Sequence, residues 1–310
     1  MRTLAVHLGL VALLLAGNWA LPAYHQGNLA RVMTLAVYAM GYNIAFGYTG
    51  LLSLGHAMFF AAGMYGAGLA LRFADPGVPL AFALAVLSGA VLALAVGLLA
   101  LRTAGVSFMI VTLMFSQAAY LTILQFGTWT RGDEGFVIDA ADRVLAGVSL
   151  GDAQVRYLVA WALFSVVLLF TLWLVRRPAG RVFVAVRENE ARARLLGYDT
   201  FRYKLGALVL SGAISAASGG AYAVLFGYAG ASFAGVQYSI FPLLWVLLGG
   251  AGTVAGPLLG TLFMFYLIDL SSGVTDAYML IAGLALIALT LFAPQGIAGT
   301  LRARLWRGLP

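Results

Sequence analysis

The sequence has no cysteine, a single lysine and few charged residues. Aspartate, glutamate, lysine and arginine together fill 9% of its 310 positions. The absence of cysteine excludes disulfides, thiol nucleophiles and thiolate metal sites. A phosphate-binding P-loop needs Gly-Lys followed by Ser or Thr, but Lys204 is followed by Leu205. We therefore expect no catalytic residues, no metal site and no bound nucleotide in this chain.

Apolar residues occupy most of the remaining positions. They make up 63% of the chain, and the mean hydropathy of +0.97 lies outside the range of soluble domains. The first apolar window resembles a signal peptide but has no clear cleavage site, so it is interpreted as a retained helix. An all-α polytopic membrane protein is predicted, a single domain over residues 1–310 with about ten transmembrane helices. The windows are 3–22, 29–46, 51–71, 79–101, 105–126, 155–175, 204–226, 238–250, 256–272 and 277–293.

The basic residues are distributed unevenly along the chain. Eight of the eighteen lie in segment 176–204, between two apolar windows. Because lysine and arginine favour the cytosolic side of a membrane, this segment is assigned to the cytosol. Alternation of the spans then places both termini in the cytosol, with thirteen basic residues inside and five outside. The net charge of +7 thus follows from membrane topology and gives no support to a nucleic-acid partner.

Segment 176–204 also carries helix signals. Residues 181–187 fit a short helix, and Asn189 can cap a second one over 190–196. Gly197 stands where a left-handed residue would end that second helix. Two short amphipathic helices at the membrane surface would form a knob for a soluble partner to hold. The alternative is a positively charged topology anchor without any partner.

Segment 41–68 places seven glycines, together with Asn43, Ser53 and His56, at the depth of the bilayer. Broken backbone is tolerated there only where protein or a water-lined path supplies hydrogen bonds, so this segment is predicted to lie beside such a path. His56 is compatible with a hydrogen bond between helices, with contact to a solute, or with a proton relay. A relay needs partners, and Asp269 is the sole acid in the clearly embedded windows. That scarcity argues against ion-coupled transport.

A stripe of polar side chains runs along the fifth window. Thr112, Ser116, Gln117 and Tyr120 fall within about two and a half helical turns, and Ser116 and Tyr120 share one face. The stripe is a candidate for the lining of a pore. Hydrogen bonding between helices is the equally weighted alternative.

Small residues at four-residue spacing predict close helix packing. Window 204–226 carries two such ridges, which are Ser211, Ser215 and Gly219, and Gly212, Ala216 and Gly220. A third ridge, Gly252, Gly256 and Gly260, is predicted to form a close contact whose movement gates a path. The two glycine-interrupted segments, 41–68 and 247–260, lie in opposite halves of the chain. Broken segments in both halves suggest a central path between two inverted repeats of five spans.

Four motifs, in the same order along the chain, resemble those of the permease subunits of branched-chain amino-acid ABC importers. They are GLLSLGH at 50–56; Gly180, Arg187-Glu188-Asn189-Glu190, Ala193, Gly197 and Tyr203-Lys204 in the cytosolic loop; GGAGTVAGPLLG at 249–260; and Pro294-Gln295-Gly296. The chain departs from the family pattern at Arg192, where alanine is usual, and at Arg131, where a turn usually has glycine. The resemblance covers about residues 41–296 and is to the LivM-like branch of the family.

This resemblance implies a transport subunit that is not itself an enzyme and that works by alternating access. The implied partners are a homologous permease, two ATPase subunits that bind ATP and magnesium, a periplasmic or extracellular substrate-binding protein and membrane lipid, at a bacterial inner membrane. The loop residues expected to couple to the ATPase are Arg187, Glu188, Glu190, Ala193 and Gly197. The residues expected along the path or gate are Asn43, Ser53, His56, Thr112, Ser116, Gln117, Tyr120, Gly252 and Gly256.

The solute is left open by the sequence. Members of the family move leucine, isoleucine and valine, so branched-chain or hydrophobic amino acids are expected, with urea or short amides as the alternative. Other classes to weigh are an ion-coupled secondary transporter, which buried carboxylates would favour, and a membrane scaffold. The capped cytosolic knob argues against both.

Overall fold

The computed structural model describes residues 2–74, 76–292 and 295–305. Pro294 of the predicted family ending, and the chain ends at Met1 and 306–310, lie outside the described residues. The helices are α1 (Arg2–Ala20), α2 (Ala23–Asn43), α3 (Ala57–Ala74), α4 (Val78–Ala100), α5 (Val106–Gln125), α6 (Gly127–Thr130), α7 (Ala153–Arg176), α8 (Pro178–Glu188), α9 (Glu190–Leu195), α10 (Thr200–Phe226), α11 (Val236–Gly249), α12 (Gly256–Ser272), α13 (Tyr278–Phe292) and α14 (Gly296–Leu305).

A helix lies in each of the ten apolar windows, but their lengths differ. Six of the described helices are long and apolar enough to cross a membrane, namely α2 with its continuation to Tyr48, α3, α4, α5, α7 and α10. α11, α12 and the apolar part of α1, Leu4–Ala20, are shorter. The structure therefore supports a mostly helical, polytopic protein with six candidate spans, while the count of ten and the inverted repeat stay predictions.

α10 lies at the centre of the bundle, against α2, α3 and α4. Its 27 residues extend over about 40 Å. A Cβ on Gly219 would overlap the carbonyl oxygen of Phe60 in α3, and one on Gly212 would lie 3.1 Å from the carbonyl oxygen of Gly89 in α4. Only small residues let backbones approach so closely, so the tight packing predicted for the two ridges of this helix is confirmed.

The first glycine-rich segment is broken, as its composition predicts. α2 ends at Asn43 and continues as a π-helix over Ile44–Tyr48, and no helix resumes until Ala57. Gly50 has a φ of +77°, a conformation that L side chains rarely adopt. Between two deeply buried helices, this break leaves several backbone groups that need partners.

The second glycine segment differs from its prediction at one residue. Gly252 does not lie on a helix: it has a φ of +75° in the turn between α11 and α12. Gly256 and Gly260 do lie in α12. A Cβ on Gly256 would lie 2.9 Å from the carbonyl oxygen of Gly249, and a Cβ on Gly260 would overlap the carbonyl oxygen of Trp245, both in α11. The ridge is therefore a contact of α11 with α12 made by Gly256 and Gly260, because the chain has to turn at Gly252 before α12 can begin.

Short strands occur in the loops at the end of α10 that faces away from segment 176–204. β1 (Phe136–Val137) pairs antiparallel with β4 (Tyr228–Ala229), and β2 (Val144–Leu145) pairs with β3 (Val148–Ser149). The protein is mostly helical, as predicted, and these two small ribbons are an addition that the sequence did not indicate, since two-residue strands between turns carry no periodicity that a sequence pattern can show. The β1–β4 pair attaches the loop after α6 to the residues that follow α10.

Candidate functional site

Segment 178–199, called the knob below, folds into α8, α9 and a turn. The side-chain oxygen of Asn189 accepts a hydrogen bond of 2.9 Å from the backbone N–H of Arg192, and so caps α9. Gly197 follows α9 with a φ of +88°. The cap and the left-handed stop stand where the sequence predicts them, whereas α8 begins at Pro178, three residues before the expected start.

Ala193 holds the interior of the knob. It is only 2% exposed and packs with Val182 and Val186 of α8 and with Tyr203 at the start of α10. A larger side chain at this position would separate α9 from α8. Ala193 therefore shapes the knob from within and does not lie on its outer surface.

Glu190 ties α9 to α10. Its Oε1 accepts hydrogen bonds from Arg194 at 2.6 Å, from Lys204 at 2.9 Å and from Thr200 at 3.0 Å. Partial burial acts to raise the pKa of the Glu190 carboxyl, but the hydrogen bonds from Lys204 and Arg194 prevail and lower this pKa below its ordinary value. The carboxyl is therefore ionised at neutral pH and belongs to the framework of the knob.

The outer surface of the knob is partly apolar. Leu195 is 89% exposed and Leu196 is 69% exposed, and Tyr198 and Phe201 beside them are also exposed. Glu188 and Arg192 are exposed as well. Large apolar side chains that are exposed on a segment rich in arginine are typical of a surface that binds another protein.

Arg187 connects the knob to the broken spans. Its guanidinium donates a hydrogen bond from Nη1 to the carbonyl oxygen of Gly47 in the π-helix. A Cβ on Gly252 would lie 2.9 Å from the same Nη1, and a Cβ on Gly50 would lie 3.0 Å from the Cγ of Arg187. One side chain of α8 thus touches both glycine-interrupted segments, and glycine at these positions leaves the room for it.

Asn43 joins the same two segments by a pair of hydrogen bonds. Its Nδ2 donates to the carbonyl oxygen of Thr253 at 2.8 Å, and its Oδ1 accepts from the backbone N–H of Gly252 at 2.9 Å. The turn between α11 and α12 is therefore held against the end of α2. We call Arg187, Gly47, Asn43 and Gly252, with the Thr253 carbonyl, the junction.

His56 lies in the bundle interior and is fully buried. Its Nε2 is 2.8 Å from the hydroxyl of Ser211, and that hydroxyl lies 2.6 Å from the carbonyl oxygen of Gly41. A carbonyl can only accept, so the Ser211 hydroxyl donates to Gly41 and accepts a hydrogen bond from the Nε2–H of His56. The Nδ1 of His56 is left as a buried acceptor without a partner, while Tyr42 and Phe59 pack edge-on against the ring.

Side chains from other helices satisfy the backbone amides of the break. The N–H of Leu54 donates to the hydroxyl of Thr112 in α5 at 3.2 Å. The N–H of Ala57 donates to Ser239 of α11 at 3.1 Å, and Ser239 lies 3.5 Å from Ser116 of α5. Thr112 and Ser116 therefore face the broken backbone, as hydrogen bonding between helices requires.

Ser53 belongs to this network, but the other two members of the α5 stripe do not. The carbonyl of Ser53 accepts a bond of 2.9 Å from the Tyr42 hydroxyl, and its side chain accepts from the N–H of Gly55 at 3.2 Å. Gln117 and Tyr120 are half-buried and take no part in these hydrogen bonds. The four residues of the predicted stripe are thus divided between the interior and a more open face.

Three residues of the site escaped the sequence reasoning. Ser211 was recognised only as a small residue for packing, and Ser239 and Gly47 carried no signal of their own, because each acquires its role from a residue more than 100 positions away. Among the residues that the structure describes, no three His, Asp or Glu side chains are grouped so that they could hold a metal ion.

The chain is similar to known transport proteins. Residues 26–291 match the family model of branched-chain amino acid transport system permease components. The high-affinity branched-chain amino acid transport system permease protein LivM of Escherichia coli is 28% identical over 98% of this chain and 77% of the relative. LivM of Salmonella typhimurium is 28% identical over 88% and 69%. The autoinducer 2 import system permease protein LsrC of Photorhabdus laumondii is 27% identical over 56% and 52%. No solved structure gives a significant match.

Proposed function

The chain belongs to the family of branched-chain amino acid transport system permease components, and on that premise we propose that it forms the translocation path of an ATP-driven importer of branched-chain amino acids. It is an integral membrane protein and an ABC-type permease. Besides the family match, one observation supports the proposal, and it is the knob. Its outer surface is partly apolar, and the contact of Glu190 with Lys204 fixes its position on a segment that we assign to the cytosol.

The knob is the proposed docking site for an ATPase subunit. Leu195 and Leu196 offer the apolar contact, and the arginines around them offer charge. Glu190 and Gly197 maintain its shape, as Ala193 does from within. ATP and magnesium would then be bound by the ATPase subunits, since this chain has no P-loop.

The junction is the proposed route from the knob to the path. A movement of α8 that displaces Arg187 acts directly on Gly47 at the end of α2 and on the turn at Gly252. Asn43 ties these two segments together, so that both are expected to move when either is displaced. The helices around His56 would then open towards one side of the membrane and afterwards towards the other.

The solute is proposed from the chemistry of the interior and from the relatives. Among the residues that the structure describes, no aspartate or glutamate is fully buried, which suits a path that holds its solute weakly and is driven by ATP rather than by an ion gradient. Leucine, isoleucine and valine are the proposed solutes. Urea or short amides are the alternative, and the similarity to LsrC adds the autoinducer 2 ligand to the solutes worth testing.

The remaining partners follow from the same proposal. A homologous second permease would complete the path, and a periplasmic or extracellular binding protein would deliver the solute. We place the protein in a bacterial inner membrane, with both termini in the cytosol and without a nucleic-acid partner.

Uptake by the complete complex in vesicles tests the function. Labelled leucine should accumulate when the ATPase sites have ATP, and excess isoleucine or valine should compete with it. Urea, a short amide and the autoinducer 2 ligand serve as the competing alternatives. ATP-dependent uptake of urea without uptake of leucine would replace the proposed solute, and a complex that moves none of these solutes would contradict the importer assignment.

A further inference from the structure

A charged cavity lies at the end of α10 opposite the knob. Its volume is about 450 Å³, within the range of roughly 300–1,000 Å³ that small-molecule sites occupy. The β1–β4 pair holds its wall against the residues that follow α10. We call it the distal cavity, and its lining residues are Arg72, Arg131, Gly135, Phe136, Val137, Ile138, Asp139 and Asp142.

Charges of both signs line the distal cavity without neutralising one another. Arg72 and Arg131 supply two guanidinium groups, and Asp139 and Asp142 supply two carboxylates. The ion pairs found among the described residues join Arg194 and Lys204 to Glu190, and Arg202 to Asp199, all at the cytosolic end. The four charged side chains of the cavity are therefore free to pair with something that enters it.

Arg72 is the most firmly placed of the four. It lies in the last turn of α3, and its guanidinium carbon is 5.0 Å from the centre of the Phe136 ring and 5.3 Å from that of Phe73. Its Nη1 is buried and has no hydrogen-bond partner. A buried cationic donor that lacks a partner calls for an explanation, and an anionic group bound in the cavity would provide one.

The wall of the distal cavity includes the segment that carries strand β1. Phe136 is buried and pairs with Ala229 across the β1–β4 ribbon. Gly135 has a φ of +67°, and a Cβ there would lie 2.8 Å from both Gly230 and the Tyr228 hydroxyl. This packing places the apolar side chain of Phe136 in the same cavity as the two arginines and the two aspartates.

We propose that the distal cavity binds a free α-amino acid as a zwitterion. Arg72 and Arg131 receive its carboxylate, Asp139 and Asp142 receive its ammonium group, and Phe136 faces its apolar side chain. The inference rests on the proposed function, since it makes this cavity the first site on the permease for the imported solute. A neutral solute such as urea would leave all four charges unsatisfied.

Binding of labelled L-leucine to the membrane complex in nanodiscs tests the proposal. The soluble binding protein is left out, because it would itself bind leucine. We expect saturable binding that Arg72→Met and Asp142→Asn each weaken by about ten- to a hundredfold, since each removes a hydrogen bond to a charged group. Asp133→Asn is the matched control, because Asp133 belongs to the same loop but does not line the cavity.

Two analogues separate the charges of the ligand. 4-Methylpentanoate is leucine without its ammonium group, and isopentylamine is leucine without its carboxylate. Both should compete far less well than leucine, and Arg72→Met should discriminate less against isopentylamine. Asp142→Asn keeps the size of a half-buried side chain and is a separate substitution, so its effect does not depend on whether Arg72→Met folds.

Three results would overturn the inference. The first is the absence of leucine binding in the parent complex, and the second is equal affinity for leucine in the parent and in Asp142→Asn. The third is seen when the soluble binding protein is added back: Asp142→Asn no longer associates with it but binds leucine as the parent does. The last result would mean that a partner protein occupies the cavity. If the parent still takes up leucine with ATP in any of these cases, the proposed function stands and only the site is wrong.

Discussion

His56 shows how a polar side chain is accommodated in an apolar bundle. Of the three roles open to it, the hydrogen bond between helices has a partner in the structure, Ser211, at 2.8 Å. The donor order through Ser211 to Gly41 leaves no ionisable group in that chain besides the histidine itself. This arrangement favours packing over proton relay, although the role in transport is still a prediction.

Substitution of His56 separates these roles. His56→Gln should retain much of the ATP-driven uptake, because an amide N–H can replace the bond to Ser211. Ser211→Ala should lower the free energy of unfolding by about 1–3 kcal/mol, and with it the folded yield, since it leaves the buried Nε2–H of His56 without an acceptor. Thermal unfolding in detergent and vesicle uptake measure the two effects. Complete loss of uptake in His56→Gln, with the fold intact, would instead support a relay.

Arg187 is the second residue whose side chain joins distant parts of the chain, because it contacts both glycine-interrupted segments. Arg187→Met removes the hydrogen bond to Gly47 and should lower uptake severalfold while the complex still assembles and hydrolyses ATP. The ratio of solute moved to ATP hydrolysed is the measurement, because a merely structural residue would lower both together. Arg102→Met is the control, since Arg102 is also an exposed arginine but lies outside both the knob and the junction. An unchanged ratio in Arg187→Met would remove the junction from the coupling route.

At the scale of elements, helix α9 of the knob is too short to be stable without contacts to the rest of the chain. α9 has six residues, whereas isolated helices below about 12–15 residues are marginal in water. Its order therefore depends on the Asn189 cap, the Gly197 stop and the bonds of Glu190 to α10. These contacts attach the knob to the start of α10.

Two substitutions in the knob test its role in coupling. Glu190→Lys would place a third positive charge beside Lys204 and Arg194, and Gly197→Val would force a β-branched residue to a φ of +88° in otherwise open space. Both should uncouple ATP hydrolysis from uptake and leave membrane insertion unchanged. Membrane yield, ATPase rate and uptake are measured together. Normal transport in both variants would exclude the knob from the mechanism.

The contact between α11 and α12 depends on glycine at Gly256 and Gly260. Gly256→Leu should lower folded yield and transport, because its Cβ alone would lie 2.7 Å from the Gly250 carbonyl oxygen. Gly206→Leu is a suitable control, since Gly206 is also helical and has open space around it. If Gly256→Leu folds and transports as the parent does, this contact neither packs nor gates as proposed.

At the scale of the whole molecule, α10 connects the two working ends. The knob precedes its first turn and the β1–β4 ribbon follows its last, about 40 Å away. Between them, small residues hold α10 against α3 and α4. The movement proposed for the knob is therefore expected to reach the distal end through one closely packed helix.

The energy source is a property of the whole complex. Uptake by vesicles should require ATP and should persist when an ionophore collapses the pH gradient, since no buried acid among the described residues is available for ion coupling. Vesicles without ATP but with an imposed gradient are the control. Transport that follows the gradient rather than ATP would contradict the ATP-driven assignment.

The sequence alone was enough for the membrane class, the positions of the apolar helices and the capped ends of the knob. These features depend on neighbours within a few positions: hydropathy acts over one window, and Asn189 and Gly197 act within one helical turn. The break after Asn43 could be predicted for the same reason, because glycine weakens a helix locally.

Only the tertiary structure decided which residues meet. It paired His56 with Ser211, placed Arg187 on Gly47, and moved Gly252 out of its predicted ridge. It also left the Nη1 of Arg72 without a hydrogen-bond partner at the distal cavity, which two aspartates line as well. These contacts join residues far apart in the chain, and they arise because buried polar groups must find partners wherever the packing of helices brings them together, which no local pattern encodes.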